Sequence, residues 1–119
     1  MSAKRLCRHE SEVQSDLHPG HWGKTLIDAG LSSVNGFLMG VSEYEREEYG
    51  QPGVHGVQEG FYVIQGEGFA KLGEEEFPIQ SGSAFIAPAG VPHAIRKLPG
   101  AQPVKLVWAH GAVAPAGLQ

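Results

Sequence analysis

Apolar positions along this chain recur in short runs. Wherever a helical spacing of 3.6 begins, glycine or proline interrupts it within about ten residues. Strand-like segments replace it, rich in β-branched, aromatic and alternating apolar positions. They fall at 24–28 (KTLID), 37–44 (FLMGVSEY), 60–65 (GFYVIQ), 69–72 (FAKL), 76–79 (EFPI), 84–87 (AFIA), 94–97 (AIRK) and 104–109 (VKLVWA). Many short strands at this spacing predict an all-β fold, a sandwich or jelly-roll barrel.

The breaks between runs carry turn chemistry. Gly66-Glu67-Gly68 and Gly73-Glu74 suit tight hairpins, since glycine reaches positive φ freely. Pro88-Ala89-Gly90-Val91-Pro92 forms a stiff corner directly before His93, with two fixed φ angles around one free residue. Residues 1–22 differ from the rest: they hold His9, His18 and His21 but little apolar content before Leu17. They are expected to form an arm across the barrel or a partner subunit, or to be partly disordered, with His18-Pro19-Gly20-His21 as a turn. The barrel is expected over 23–112 and a C-terminal tail over 113–119.

Composition narrows the function classes. The chain has 119 residues, enough for one domain and one core. Its net charge of −4 with scattered cations argues against nucleic acid, which demands clustered lysine and arginine. No apolar run approaches the roughly 18 residues of a membrane span, and no apolar stretch follows the early cations as in a signal peptide. A lone cysteine, Cys7, pairs with nothing in the chain and fits a reducing compartment, so a cytoplasmic location is expected. Glu43, Glu45, Glu47 and Glu48 read as a solvated edge.

Candidate chemistry concentrates in two segments, 53–66 (GVHGVQEGFYVIQG) and 82–93 (GSAFIAPAGVPH). His55 and Glu59 lie four apart at a strand entrance, and His93 follows the stiff corner. Antiparallel pairing inside a barrel brings such segments side by side, with side chains alternating inward and outward. Two imidazoles and one carboxylate on one face suit a divalent transition metal with open positions. The alternative is a hydrogen-bonded His55–Glu59 pair in a metal-free barrel, with His93 as a turn histidine. The aromatics Tyr62, Phe61, Phe85, Trp22 and Trp108 read as core or pocket wall.

These segments resemble the two motifs of the cupin family, over about residues 37–108. The second matches in spacing: Gly82, five residues, Pro88, one residue, Gly90, two residues, His93. The first ends correctly, with Glu59, six residues, then Gly66, and 15 residues separate the motifs, which is short for the family. There are departures. The family's usual His-x-His pair reads Gly53-Val54-His55 here; Glu47 stands where a glycine opens the first motif, and Lys97 where an asparagine follows the second. The resemblance therefore implies a single-domain jelly-roll β-barrel with metal ligands His55, Glu59 and His93, and none at Gly53. Restoring histidine at 53 is expected to tighten metal binding. Gln51, Gln58, His110 or an N-terminal histidine are the candidates for a replacement ligand.

Similar small cupins include dioxygenases, isomerases, decarboxylases, lyases and cyclases. The expected function is a metal-dependent enzyme acting on a small oxygenated organic molecule, with Fe, Mn, Ni or Zn supplying Lewis-acid or O2 chemistry. A non-catalytic ligand-binding or sensory cupin is the alternative. Tyr62 and His110 are the candidate catalytic groups beside the metal; His110 shares strand parity with Leu106 and Trp108. Homodimerisation is expected, because exposed sheet edges need covering.

Overall fold

The computed structural model describes residues 5–111. Nine strands are present among them: β1 (Asp16–His18), β2 (His21–Ile27), β3 (Leu38–Tyr44), β4 (Glu59–Gln65), β5 (Glu67–Leu72), β6 (Glu75–Gln80), β7 (Ala84–Ala87), β8 (His93–Lys97) and β9 (Val104–His110). There is no α-helix among the described residues, only 3-10 turns at Glu10–Glu12 and Ala29–Leu31. Among the described residues no helix is long and apolar enough to cross a membrane.

The strands form two antiparallel sheets, a six-stranded one ordered β1-β2-β3-β9-β4-β7 and a three-stranded one ordered β6-β5-β8. This is the two-sheet jelly-roll arrangement that the strand pattern predicts. All eight expected strands are present, most one or two residues longer than the pattern indicated. The addition is β1, whose three residues are all exposed and so leave no apolar alternation to read. Its register, His18 opposite His21, makes Pro19-Gly20 the expected two-residue turn. β1 and the start of β2 thus fall inside the stretch expected as an arm. Residues before β1 lie against the same chain, where Lys24 Nζ donates to the Glu10 carbonyl (2.9 Å) and Ser32 Oγ to that of Arg5 (2.8 Å). The expected tail, 113–119, lies outside the described residues.

The core follows from strand parity. In β4 the odd residues Glu59, Phe61 and Val63 are buried, while Tyr62 and Ile64 face out. Phe61, Val63, Ala70, Ile79, Ala87, Ile95, Val104 and Leu106 form one cluster between the sheets, with Tyr44, Phe77, Phe85 and Trp108 against it. Full burial of such side chains stabilises by about 1.5–3 kcal/mol each. Every inward row turns polar at the same end of the sandwich. β4 runs Val63, Phe61, Glu59; β8 runs Ile95, His93; β9 runs Leu106, Trp108, His110. The apolar end holds the sheets together and the polar end opens as a mouth.

Candidate metal centre

Backbone pairing puts the two motif segments together. Gly53 and His93 exchange both hydrogen bonds, each 2.9 Å, as an isolated antiparallel bridge. Two residues on, the Gly90 amide donates to the His55 carbonyl at 2.8 Å. Gly90 reaches this position with φ of 78°, which the Pro88–Pro92 corner requires and a β-carbon would strain. The corner is thereby zipped onto the first motif, and His93 is delivered opposite Glu59.

One ligand atom from each of His55, Glu59 and His93 lies within 4.8 Å of the others, an arrangement that could hold a metal ion. Glu59 sits at its centre. Its Oε1 is 3.2 Å from His55 Nε2 and 3.4 Å from His93 Nε2, while its Oε2 is 3.2 Å from His110 Nε2. The Glu59 side chain is 7% exposed, and Oε1 is buried with no hydrogen-bond partner. An orphaned carboxylate oxygen of this kind is rare and costly in a folded protein.

Electrostatics sharpen the picture. Burial alone pushes the Glu59 carboxyl up to about 7. Burial, then the neighbouring imidazoles of His55 and His110, pushes His93 down to about 4, with the Val91 backbone acting weakly the other way. His110 is lowered by burial and then by His55. At neutral pH His93 and His110 are therefore held uncharged, and their contacts to Glu59 are not ion pairs. A buried carboxylate facing neutral nitrogen donors lacks a cation, and a divalent metal supplies one. The residues present fit the group.

The site floors a cavity of about 320 Å³. Its wall includes a ladder of stacked rings, His18 on His21 at 4.6 Å and His21 on Tyr44 at 4.8 Å. Tyr44 is held well above the usual phenol range by burial and then by the Glu59 charge. His21 is lowered by burial and then by His18. On another wall Trp108 Nε1 donates to Ser42 Oγ at 3.0 Å, which fixes the indole. Residue types alone do not single out His18, His21, Ser42 and Tyr44 as pocket residues; the available signal is the His-Pro-Gly-His turn, whose histidines must lie on one face of a hairpin.

The other expected residues divide. His110 faces the cavity, as its parity with Trp108 predicts. Tyr62 does not: it is 52% exposed on the outer face of β4, because even positions there point away from Glu59. It is withdrawn as a catalytic candidate. Gln51 and Gln58 are exposed and do not line the cavity, and His9 caps the first 3-10 turn instead.

Comparison with known proteins agrees with the fold. Residues 40–110 match the family model described as the cupin domain. Among curated proteins none matches. The polyketide cyclase RemF from Streptomyces resistomycificus is similar in structure at a TM-score of 0.74 and 20% identity, over 92% of this chain and 80% of that one. The hydroxypropylphosphonic acid epoxidase from S. wedmorenis, solved with fosfomycin, gives 0.74 at 18%, over 87% of this chain and 58% of its own. An RmlC-like cupin from Shewanella frigidimarina gives 0.71 at 14%, over 89% of each chain. At these identities the likeness is one of fold.

Proposed function

The chain belongs to the cupin family, and on that footing we propose that it is a small metal-dependent enzyme acting on a small oxygenated organic substrate. His55, Glu59 and His93 would hold one divalent transition metal, Fe, Mn, Ni or Zn. The observation that carries this reading is the buried, unpartnered Glu59 Oε1 with two imidazole nitrogens 3.2 and 3.4 Å away. The bound metal would supply Lewis-acid or O2 chemistry. The protein's own contribution is a shaped cavity of about 320 Å³, open at the polar end of the sandwich and large enough for a small molecule, with polar ring edges along one wall. His21 and Tyr44 stand on that wall and can exchange protons or hydrogen bonds with a substrate. Similar folds carry a polyketide cyclase and an epoxidase, which supports an oxygenated organic substrate.

A homodimer belongs to the same proposal. Tyr62, Ile64 and Ile86 are 52%, 43% and 51% exposed on the outer face of the six-stranded sheet, an apolar group suited to a second copy. A cytoplasmic location completes it.

The test is optical. Protein loaded with iron under argon is offered catechol, α-hydroxy acids and α-keto acids, then O2. A charge-transfer band that appears with one of these and is absent in His93→Ala is the expected result. Loaded protein whose spectrum none of them alters contradicts the reading. A band without turnover favours the ligand-binding alternative.

A further inference from the structure

We propose that His110, at the end of β9, is a fourth metal ligand that replaces the histidine missing at Gly53; this rests on the metal-binding reading above. The first ground is register. His110 is the direct antiparallel partner of Glu59 in the β4–β9 pairing, so both side chains leave the same face at the same level. The second is direction. His110 Nε2 is 3.2 Å from Glu59 Oε2, as His55 and His93 Nε2 are 3.2 and 3.4 Å from Oε1. Neighbouring ligand atoms around an ion with bonds of about 2.1 Å stand roughly 3.0–3.4 Å apart, so all three contacts have the spacing of a coordination shell. The carboxylate presents one oxygen to two imidazoles and the other to the third. A cation on Oε1 meets His55 and His93, whose ligand atoms lie within 4.8 Å of one another; His110 stands just outside that group, beside Oε2, and joins the same ion by a turn of its ring.

The third ground is space. Gly53 faces His93 across the backbone bridge, and a β-carbon there would stand 3.0 Å from His93 Nε2. The motif position is therefore filled by backbone pressed against a ligand ring. His110 approaches from a different strand, with its ring centroid 4.6 Å from that of His55. Its side chain is 15% exposed, dry enough for a ligand. The set becomes three histidines and one glutamate, assembled from 55, 59, 93 and 110.

Counting bound imidazoles tests this. Protein loaded with Co(II) gives one hyperfine-shifted, exchangeable N–H proton resonance for each coordinated histidine. Three are expected in the wild type and two in His110→Gln, which retains a hydrogen-bonding group beside Glu59. Chelator competition with Zn(II) should show His110→Gln and His110→Ala weakened alike, by at least about the 10- to 100-fold that loss of an outer-shell partner alone would cost. Two resonances in a wild type that binds Co(II) would overturn the fourth ligand and leave the three-residue site standing. Rescue of affinity in His110→Gln, but not in His110→Ala, would make His110 a positioning group for Glu59 and also overturn it. No Co(II) bound at all would overturn both readings.

Discussion

Replacing Glu59 by glutamine in the metal-free protein should change how stability depends on pH, and the structure fixes the sign. Moving a buried carboxyl from 4.5 to about 7 costs the ionised folded protein roughly 3 kcal/mol, at about 1.4 kcal/mol for each tenfold step. Because the folded value is raised, the stability tied to the protonated form is full below about 4.5 and is lost as pH climbs to about 7. His93 works in the opposite sense. Its folded value is depressed from 6.5 to about 4, so its contribution is full above 6.5 and is lost as pH falls towards 4. Between pH 4.5 and 6.5 the Glu59 slope offsets that of His93, so the wild type should show only the shallower rise that His21 and His110, also lowered by burial, contribute. In Glu59→Gln that offset is gone, so stability should rise by about 2 kcal/mol more than in the wild type across that window. Urea denaturation at half-unit pH steps with chelator present, followed by the fluorescence of Trp22 and Trp108, measures both curves. Parallel curves for wild type and variant would refute the reasoning, since they would mean that burial does not perturb Glu59.

Other expectations follow from particular positions. Leu106 is fully buried, and Leu106→Ala should lose about 3 kcal/mol in the same denaturation assay, within the range for a leucine cavity; a loss under 1 would contradict its place in the core. Tyr62→Phe should leave metal content and ligand spectra unchanged, because that hydroxyl faces away from the site. Gly53→His, which the motif alone suggests should tighten metal binding, should fail to do so by chelator competition, since its β-carbon would press on His93 at 3.0 Å. Ile86→Glu should shift a dimer towards monomer in sedimentation, while an unchanged oligomer would remove that face from the proposed interface.

Much of this was legible before any coordinates. Each apolar run became a strand, because in a two-sheet sandwich period-two alternation and burial are the same fact. Gly90 and its flanking prolines marked the corner that delivers His93. Parity placed His110 inward, and by the same rule Tyr62 could have been excluded, since it is an odd number of residues from Glu59. What strand patterns cannot supply is partnership between distant strands. That Glu59 stands opposite His110 depends on β4 lying between β9 and β7 in the sheet, a choice made by the packing of the whole core. β1 escaped notice for a related reason: an exposed edge of three residues is held by backbone pairing to β2 and carries no hydrophobic signature. The hairpin it makes brings His18 and His21 to the cavity wall. The reason Gly53 is glycine also appears only in three dimensions, in its close approach to His93.

The central claim is that a metal ion belongs beside Glu59, and its most direct test is the metal-to-chain ratio. Protein purified without oxygen or chelator is offered Fe, Mn, Ni and Zn in turn, dialysed, and measured by elemental mass spectrometry. The account predicts close to one ion per chain for at least one of these metals, falling to near zero in a His93→Ala variant that still folds by circular dichroism. A wild-type ratio that stays near zero with every metal would contradict it.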